Sequence, residues 1–253
     1  MPMKIEFKGK RVVVAGASRG IGRSIALAFA EAGAHVSICA RGAQALEATQ
    51  LELDAFGNIA HAASCDLANE ADIARYILAA AAALGGIDVL VNNATAAAHG
   101  DDEASWDGSI AVDLLAVVRA SREALPFIES GDGGSIINIA SGSGLGPSVR
   151  TPAYGAAKAA VIHYTRTQAA ALAGTGVRVN CVAPGSIEFP GGIWEQRKHE
   201  DPALYQSVLA GIPAKRMGHP EEVANVVLFL ASPLASWVTA QIIGVNGGQG
   251  LGR

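Results

Sequence analysis

Cysteine, charge and any secretory feature are scarce in this chain. Its 253 residues include three cysteines, Cys39, Cys65 and Cys181, an odd number set far apart. No paired spacing suggests a zinc site or a disulfide framework, so the three are expected to be reduced and buried, with no metal bound. Only 17% of the residues are charged and the net charge is -4, with lysine and arginine scattered along the chain. No basic stripe is present to track a phosphate backbone, which argues against nucleic acid as a partner. The first ten residues carry Lys4, Glu6, Lys8 and Lys10 with no apolar run between them. No secretory signal is expected there, and a cytoplasmic location is the resulting expectation. The longest uncharged stretch, Val223–Leu251, is broken by Asn225, Pro233, Gln241, Asn246 and several glycines. It reads as a core helix followed by a core strand, so no membrane span is expected.

What the chain does have is apolar content: half of its residues, enough to bury a sizeable core. Short apolar runs recur at Arg11–Ala15, His35–Ala40, Ile59–Ser64, Ile87–Val91, Ser135–Ala140, Val177–Val182 and Ile242–Val245, mostly without in/out alternation. Strands buried on both faces have this pattern. Helix-compatible segments lie between them, at Ile21–Ala32, Ala43–Phe56, Asn69–Leu84, Ser105–Ser130, Ala153–Ala173 and Pro220–Ala231. Alternating strands and helices joined by right-handed crossovers predict an α/β fold: a single-domain, Rossmann-type doubly wound sandwich spanning 1–253, with a seven-stranded parallel sheet and helices on both faces. No internal repeat or linker interrupts it. One region breaks the rhythm. Pro184–Pro202 carries three prolines and three glycines together with Phe189 and Trp194, and a loop of that length in a compact domain is usually functional, here the expected substrate loop.

The first strand runs into Gly16-Ala17-Ser18-Arg19-Gly20-Ile21-Gly22 at the start of a helix. Glycines let a ligand approach the backbone, and the unpaired N–H groups of a helix start suit a pyrophosphate. The plain alternative is a tight strand-to-helix turn. At the end of the second strand, where an acidic residue would hold the ribose 2′-hydroxyl of NAD, the chain has Ala40 followed by Arg41. With Arg19 in the turn, two guanidinium groups could flank a 2′-phosphate, which favours NADP over NAD.

Tyr154 and Lys158 stand four apart at the start of a helix, so they share a face. A phenol is a weak acid at neutral pH, and a neighbouring ammonium favours its phenolate. Ser141 closes the fifth apolar run thirteen residues earlier, at the sheet edge where doubly wound folds bind ligands. With Asn92-Asn93-Ala94 after the fourth run and Pro184-Gly185 after the sixth, these motifs follow the order and spacing of one family. The chain resembles the short-chain dehydrogenase/reductases over essentially its whole length, with 3-oxoacyl-carrier-protein reductase-like members the nearest in overall look.

The resemblance implies a cofactor, NADP(H), and a carbonyl or alcohol substrate. Tyr154 would be the general acid in reduction and the base in oxidation, Ser141 would hydrogen-bond the substrate oxygen, and Lys158 would also hold the nicotinamide ribose. Gly16, Ser18, Arg19, Gly20, Ile21 and Arg41 would bind the phosphates. Asp66 and Leu67 would meet the adenine, although an aspartate there could equally cap the next helix. Asn93 and Ala94 would line the adenosine side, and Pro184, Gly185 and Ile187 the nicotinamide. A homotetramer is the family's common assembly.

Three departures stand out. Thr95 follows Asn-Asn-Ala where glycine is usual. Asp113 replaces an asparagine of the middle helix, and its charge would pair with Lys158 and weaken that residue's pull on Tyr154. Phe189 stands where a threonine often meets the carboxamide, so either the carboxamide finds another partner or Phe189 forms an apolar wall. Behind it, Gly191 and Gly192 could hinge a lid covered by Trp194, unless Trp194 merely packs under a surface loop. Two rival readings stay open: a cofactor-binding sensor or structural subunit with weak catalysis, and an NAD-dependent alcohol dehydrogenase. His163 suits packing or an interface, and His61 and His99 have no ligand-like neighbours.

Overall fold

The computed structural model describes residues 5–96, 98, 100–129, 131 and 133–251; His99 and Ser130 therefore lie outside the described residues. Seven parallel strands, β1 (Arg11–Ala15), β2 (His35–Ala40), β3 (Ala60–Ser64), β4 (Val89–Asn92), β5 (Gly134–Ile139), β6 (Val177–Pro184) and β7 (Ile242–Val245), form one sheet in the order β3-β2-β1-β4-β5-β6-β7. The order reverses between β1 and β4, which pair from Val12↔Val89 to Ala15↔Asn92. At such a switch point the chains leaving the two strands diverge and open a crevice beyond their carboxyl ends.

Alternate residues of each strand feed opposite cores because successive side chains point to opposite faces. Val12, Val14, Val36 and Ile38 enter a cluster with Ile25, Phe29, Val223, Val227 and Leu230. Those helical residues belong to α1 (Gly20–Glu31) and α9 (Pro220–Ala231). Val13, Cys39, Leu90, Ile136 and Val179 enter the other cluster with Ile73, Ile77, Ala120, Ala124 and Leu172, from α3 (Glu70–Leu84), α5 (Ala116–Glu129) and α6 (Pro152–Leu172). Burial on both faces is why these strands lack an alternating pattern. The α2 helix (Ala43–Asp54) follows β2. All three cysteines are free and buried. Among the described residues no helix is long and apolar enough to cross a membrane, and Val223–Leu251 divides into α9 and β7.

Two segments differ from the sequence expectation. The Ser105–Ser130 helix begins earlier, with α4 (Glu103–Gly108), because Asp102 caps it by accepting from the Ser105 N–H. It also contains a π-helical turn, Ser109–Leu115, ahead of α5. Ser109 and Asp113 are fully buried in that turn, and π-turns concentrate where an extra residue must reach into a functional interior. The Pro184–Pro202 region is not all loop. It holds α7 (Ile193–Glu200), followed at once by α8 (Pro202–Ala210). Glu195 near the α7 start and Arg197, Lys198 and His199 in its last turn complement the helix dipole, and Asp201 caps α8 through the Leu204 N–H.

Candidate active site

The glycine turn rides on β2: the N–H groups of Gly16 and Ala17 both donate to the Cys39 carbonyl, at 3.0 and 3.1 Å. Two glycines are required by close approach. Gly16 has φ +80°, and a methyl group there would fall 2.7 Å from the Ala94 backbone. One at Gly22 would fall 2.2 Å from the Gly16 carbonyl oxygen and 2.4 Å from Asn93 Nδ2. Asn93 stitches the two strand ends together by donating to the Gly16 carbonyl at 2.6 Å. Helix α1 starts here with no side-chain cap hydrogen bond from Arg19, so no capping side chain competes with an anion for its first N–H groups.

Arg19 in the turn and Arg41 beyond β2 are exposed, and among the described residues their guanidinium groups make no ion pair or hydrogen bond. Ser18 lends its carbonyl to the Thr49 hydroxyl at 3.2 Å, and Ile21 is half-buried in the first turn of α1. Asp66 is exposed and accepts from the Ala68 N–H at 3.0 Å. It does not cap α3: that position belongs to Asn69, which accepts from the Asp72 N–H. Leu67 is buried beside it. Bare glycine backbone, an uncapped helix start and two unpartnered guanidinium groups fit the phosphates of a dinucleotide.

Ser141 follows β5, its hydroxyl oxygen accepting from the Ser143 N–H at 3.1 Å. Pro152 opens α6, where a missing N–H costs nothing, and this sets Tyr154 and Lys158 on one face of its first turns. Lys158 Nζ lies 5.6 Å from the centroid of the Tyr154 ring and donates to the Ile139 carbonyl at 3.0 Å. The lysine is 2% exposed and Asp113 is wholly buried, with Asp113 Oδ1 3.2 Å from Nζ. That is ion-pair distance, but the angles fall outside hydrogen-bond geometry, and Oδ1 has no hydrogen-bond partner among the described residues. Oδ2 accepts from the Ala96 N–H at 3.3 Å. Below them a buried relay joins the strands to α6: Asn92 Nδ2 donates to Asn138 Oδ1 and Ser121 Oγ, and Asn138 Nδ2 donates to Thr165 Oγ1. A half-buried phenol beside a fixed ammonium, with a hydroxyl on the adjacent strand end, can pass a proton to or from a bound oxygen.

Pro184 and Ile187 are buried and Gly185 half-buried at the end of β6; the Gly185 N–H donates to the Val245 carbonyl at 2.9 Å. Beyond them lies a cluster that the sequence did not single out. Tyr205 on α8 donates its hydroxyl hydrogen to Glu188 Oε2 at 2.6 Å, and Lys198 on α7 donates to Oε1 at 3.0 Å. The tyrosine hydrogen bond, then the lysine, hold the Glu188 carboxyl below the usual carboxylate range. No local spacing advertises this group, because its three members come from three successive elements. Trp194 packs with Tyr205, Val208, Ile212 and Met217, so it joins α7 to α8 as a packing residue. His61 bonds Ser37 through Nδ1 at 2.9 Å, and His163 is exposed on α6. Among the described residues no group of three or more acidic, histidine or cysteine side chains could hold a metal.

A glycine turn at a helix start, beside Ser141 and the Tyr154–Lys158 pair on a parallel switch-point sheet, has the make-up of a dinucleotide-dependent oxidoreductase. Residues 16–249 match the family model described as enoyl-(acyl carrier protein) reductase. The chain is 36% identical over 248 residues to the 3-oxoacyl-(acyl-carrier-protein) reductase of Thermotoga maritima, covering 96% of this chain and 99% of that one. A 7α-hydroxysteroid dehydrogenase solved with NADH and 7-oxo glycochenodeoxycholic acid superimposes with a TM-score of 0.90 at 32% identity, covering 97% and 96% of the two chains. The L-sorbose reductase of Gluconobacter frateurii, solved with NADPH and L-sorbose, gives 0.90 at 30% identity and 98% coverage of both. The chain belongs to the short-chain dehydrogenase/reductase family. Its relatives include dehydrogenases and reductases solved with either nicotinamide cofactor.

Proposed function

We propose that this chain interconverts a carbonyl and a secondary alcohol with NADP(H) as the redox partner. The observation that carries the reading is the Lys158 ammonium, buried, anchored on the Ile139 carbonyl and held 5.6 Å from the Tyr154 ring. When bound, the cofactor supplies or accepts the hydride. The chain's own part is the proton and the geometry. Tyr154 gives its phenolic proton to the carbonyl oxygen as reduction proceeds, and takes it back in oxidation. Ser141 donates a hydrogen bond that fixes that oxygen, and Lys158 stabilises the phenolate left behind and holds the nicotinamide ribose. Gly16, Gly20 and Ile21 offer backbone to the pyrophosphate. Asp66, Leu67, Asn93 and Ala94 border the adenosine, and Pro184, Gly185 and Ile187 border the nicotinamide. One domain carries the whole site, with 184–202 and the helices after it shaping the substrate side.

NADP is the preferred form because Arg19 and Arg41 are unpartnered where a 2′-phosphate would lie and no carboxylate follows β2. The relative solved with NADH supplies the competing reading. Titrating the wild type and Arg41→Ala with NADPH and NADH, following reduced-nicotinamide fluorescence, separates the two. The wild type should prefer NADPH, and Arg41→Ala should lose most of that preference while NADH affinity stays put. An unchanged preference in Arg41→Ala would refute the assignment.

A further inference from the structure

The surface of the glycine turn is not open along its whole length. Gly20 has φ +56°, and a methyl group there would fall 2.5 Å from Cζ, 2.8 Å from Cε2 and 2.9 Å from Cε1 of Phe189. The ring therefore rests end-on against the bare backbone at the start of α1. The ring also packs against the hydrophobic core beneath it, and a methyl group at Gly192 would fall 3.0 Å from its Cε2 and Cζ. Phe189 is thus wedged between the glycine turn and Gly192, the residue that caps α7, filling the space that two absent side chains leave. The wedge is held from behind, because neighbouring Glu188 is tied to Lys198 and Tyr205. Between wedge and helix lies Gly191, exposed, at φ +72°, with nothing within 4 Å of an added methyl group.

We propose that Phe189 gates the dinucleotide cleft: its ring covers the Gly20 backbone where a pyrophosphate would lie, and swings away about Gly191 and Gly192 before the cofactor seats. This rests on the dinucleotide reading of the site. An anion bound to the first N–H groups of α1 has to contact the same backbone that the ring now touches, so ring and phosphate exclude each other. The binding-competent state is then a fraction of the population, and the apparent affinity is reduced by that fraction. The apolar ring contributes nothing to phosphate recognition, so removing it releases the gate without removing a cofactor contact.

Stopped-flow mixing of the whole protein with NADPH, read by nicotinamide fluorescence and by quenching of tryptophan emission, tests this. For the wild type the observed rate should level off as NADPH rises, at the rate of ring opening. For Phe189→Ala it should climb linearly over the same range, with Kd at least about threefold lower. Phe189→Leu, which keeps an apolar side chain in the wedge, should fall between them, and thermal unfolding of each variant checks that it is folded. Superimposable rate profiles, or weaker binding by folded Phe189→Ala and Phe189→Leu, would overturn the gate and leave the dinucleotide site standing. If neither wild type nor folded variants bound NADPH or NADH, the dinucleotide reading would fall and the gate with it. Binding by Phe189→Ala alone would support both.

Discussion

The buried Lys158–Asp113 pair sets a test of the site's energetics that needs no substrate. At 3.2 Å, a Coulomb attraction with an effective dielectric of about 20 is worth about 5 kcal/mol. Desolvation of both groups offsets much of it, but removing one partner leaves the other charge stranded, at a cost of about 3–5 kcal/mol. Asp113→Asn keeps shape and the oxygen that accepts from the Ala96 N–H, while leaving the ammonium with only the Ile139 carbonyl. It should lower the unfolding free energy by about 3 kcal/mol. Lys158→Met strands the carboxylate and should cost a similar amount. The double variant has no charge to strand, so it should recover at least about 2 kcal/mol relative to the sum of the singles. Urea unfolding of the four proteins at pH 7, followed by circular dichroism, measures the coupling. A coupling below about 0.5 kcal/mol, the usual error of additivity for independent sites, would show that the pair is not an energetic unit.

Backbone strain and surface charge give further expectations. Ala240 sits at φ +59°, a conformation costly for a residue with a Cβ, so Ala240→Gly should raise stability by about 1 kcal/mol, measured as a higher urea midpoint; a lower midpoint would contradict it. Gly16→Ala forces a methyl group against Ala94 and should abolish nucleotide binding in titration calorimetry while secondary structure persists; wild-type affinity would refute the cradle. Glu222 is held down to about 2, first by the Arg216 ion pair and then by the His219 N–H. A depressed carboxyl stabilises above its unfolded value and loses that contribution as pH falls through the folded one. Glu222→Gln should therefore cost about 1 kcal/mol at pH 7 and progressively less from pH 4.5 towards 2, read from urea midpoints across that range. A pH-independent cost would count against the ion pair.

How much was legible in advance depended on how far each feature rests on local pattern. Strands β1, β2 and β7 and helix α9 have the bounds their apolar runs announce; in β1 and β2 burial on both faces leaves a continuous run. The glycine turn and the Ser141, Tyr154 and Lys158 positions were legible because each is tied to the end of a strand or the start of a helix. Helix α7 was not, since Ile193–Glu200 has only Ile193 and Trp194 as apolar residues and shows no buried stripe. The π-turn is equally silent, being set by Asp113 reaching Lys158 across the chain. Phe189 stands out in the sequence as an unusual residue, but its contact with Gly20 joins two distant loops. Only the assembled sheet brings those loops to one edge.

The most direct measurement is NADPH oxidation, followed by absorbance, with wild type and Tyr154→Phe over a panel of ketones and acetoacetyl thioesters, alongside NADPH binding by both. The account predicts substrate-dependent turnover by the wild type, and a loss of about 100-fold or more in Tyr154→Phe with cofactor affinity largely kept. Turnover by Tyr154→Phe at the wild-type rate would contradict it, because the proton would then have to come from another group.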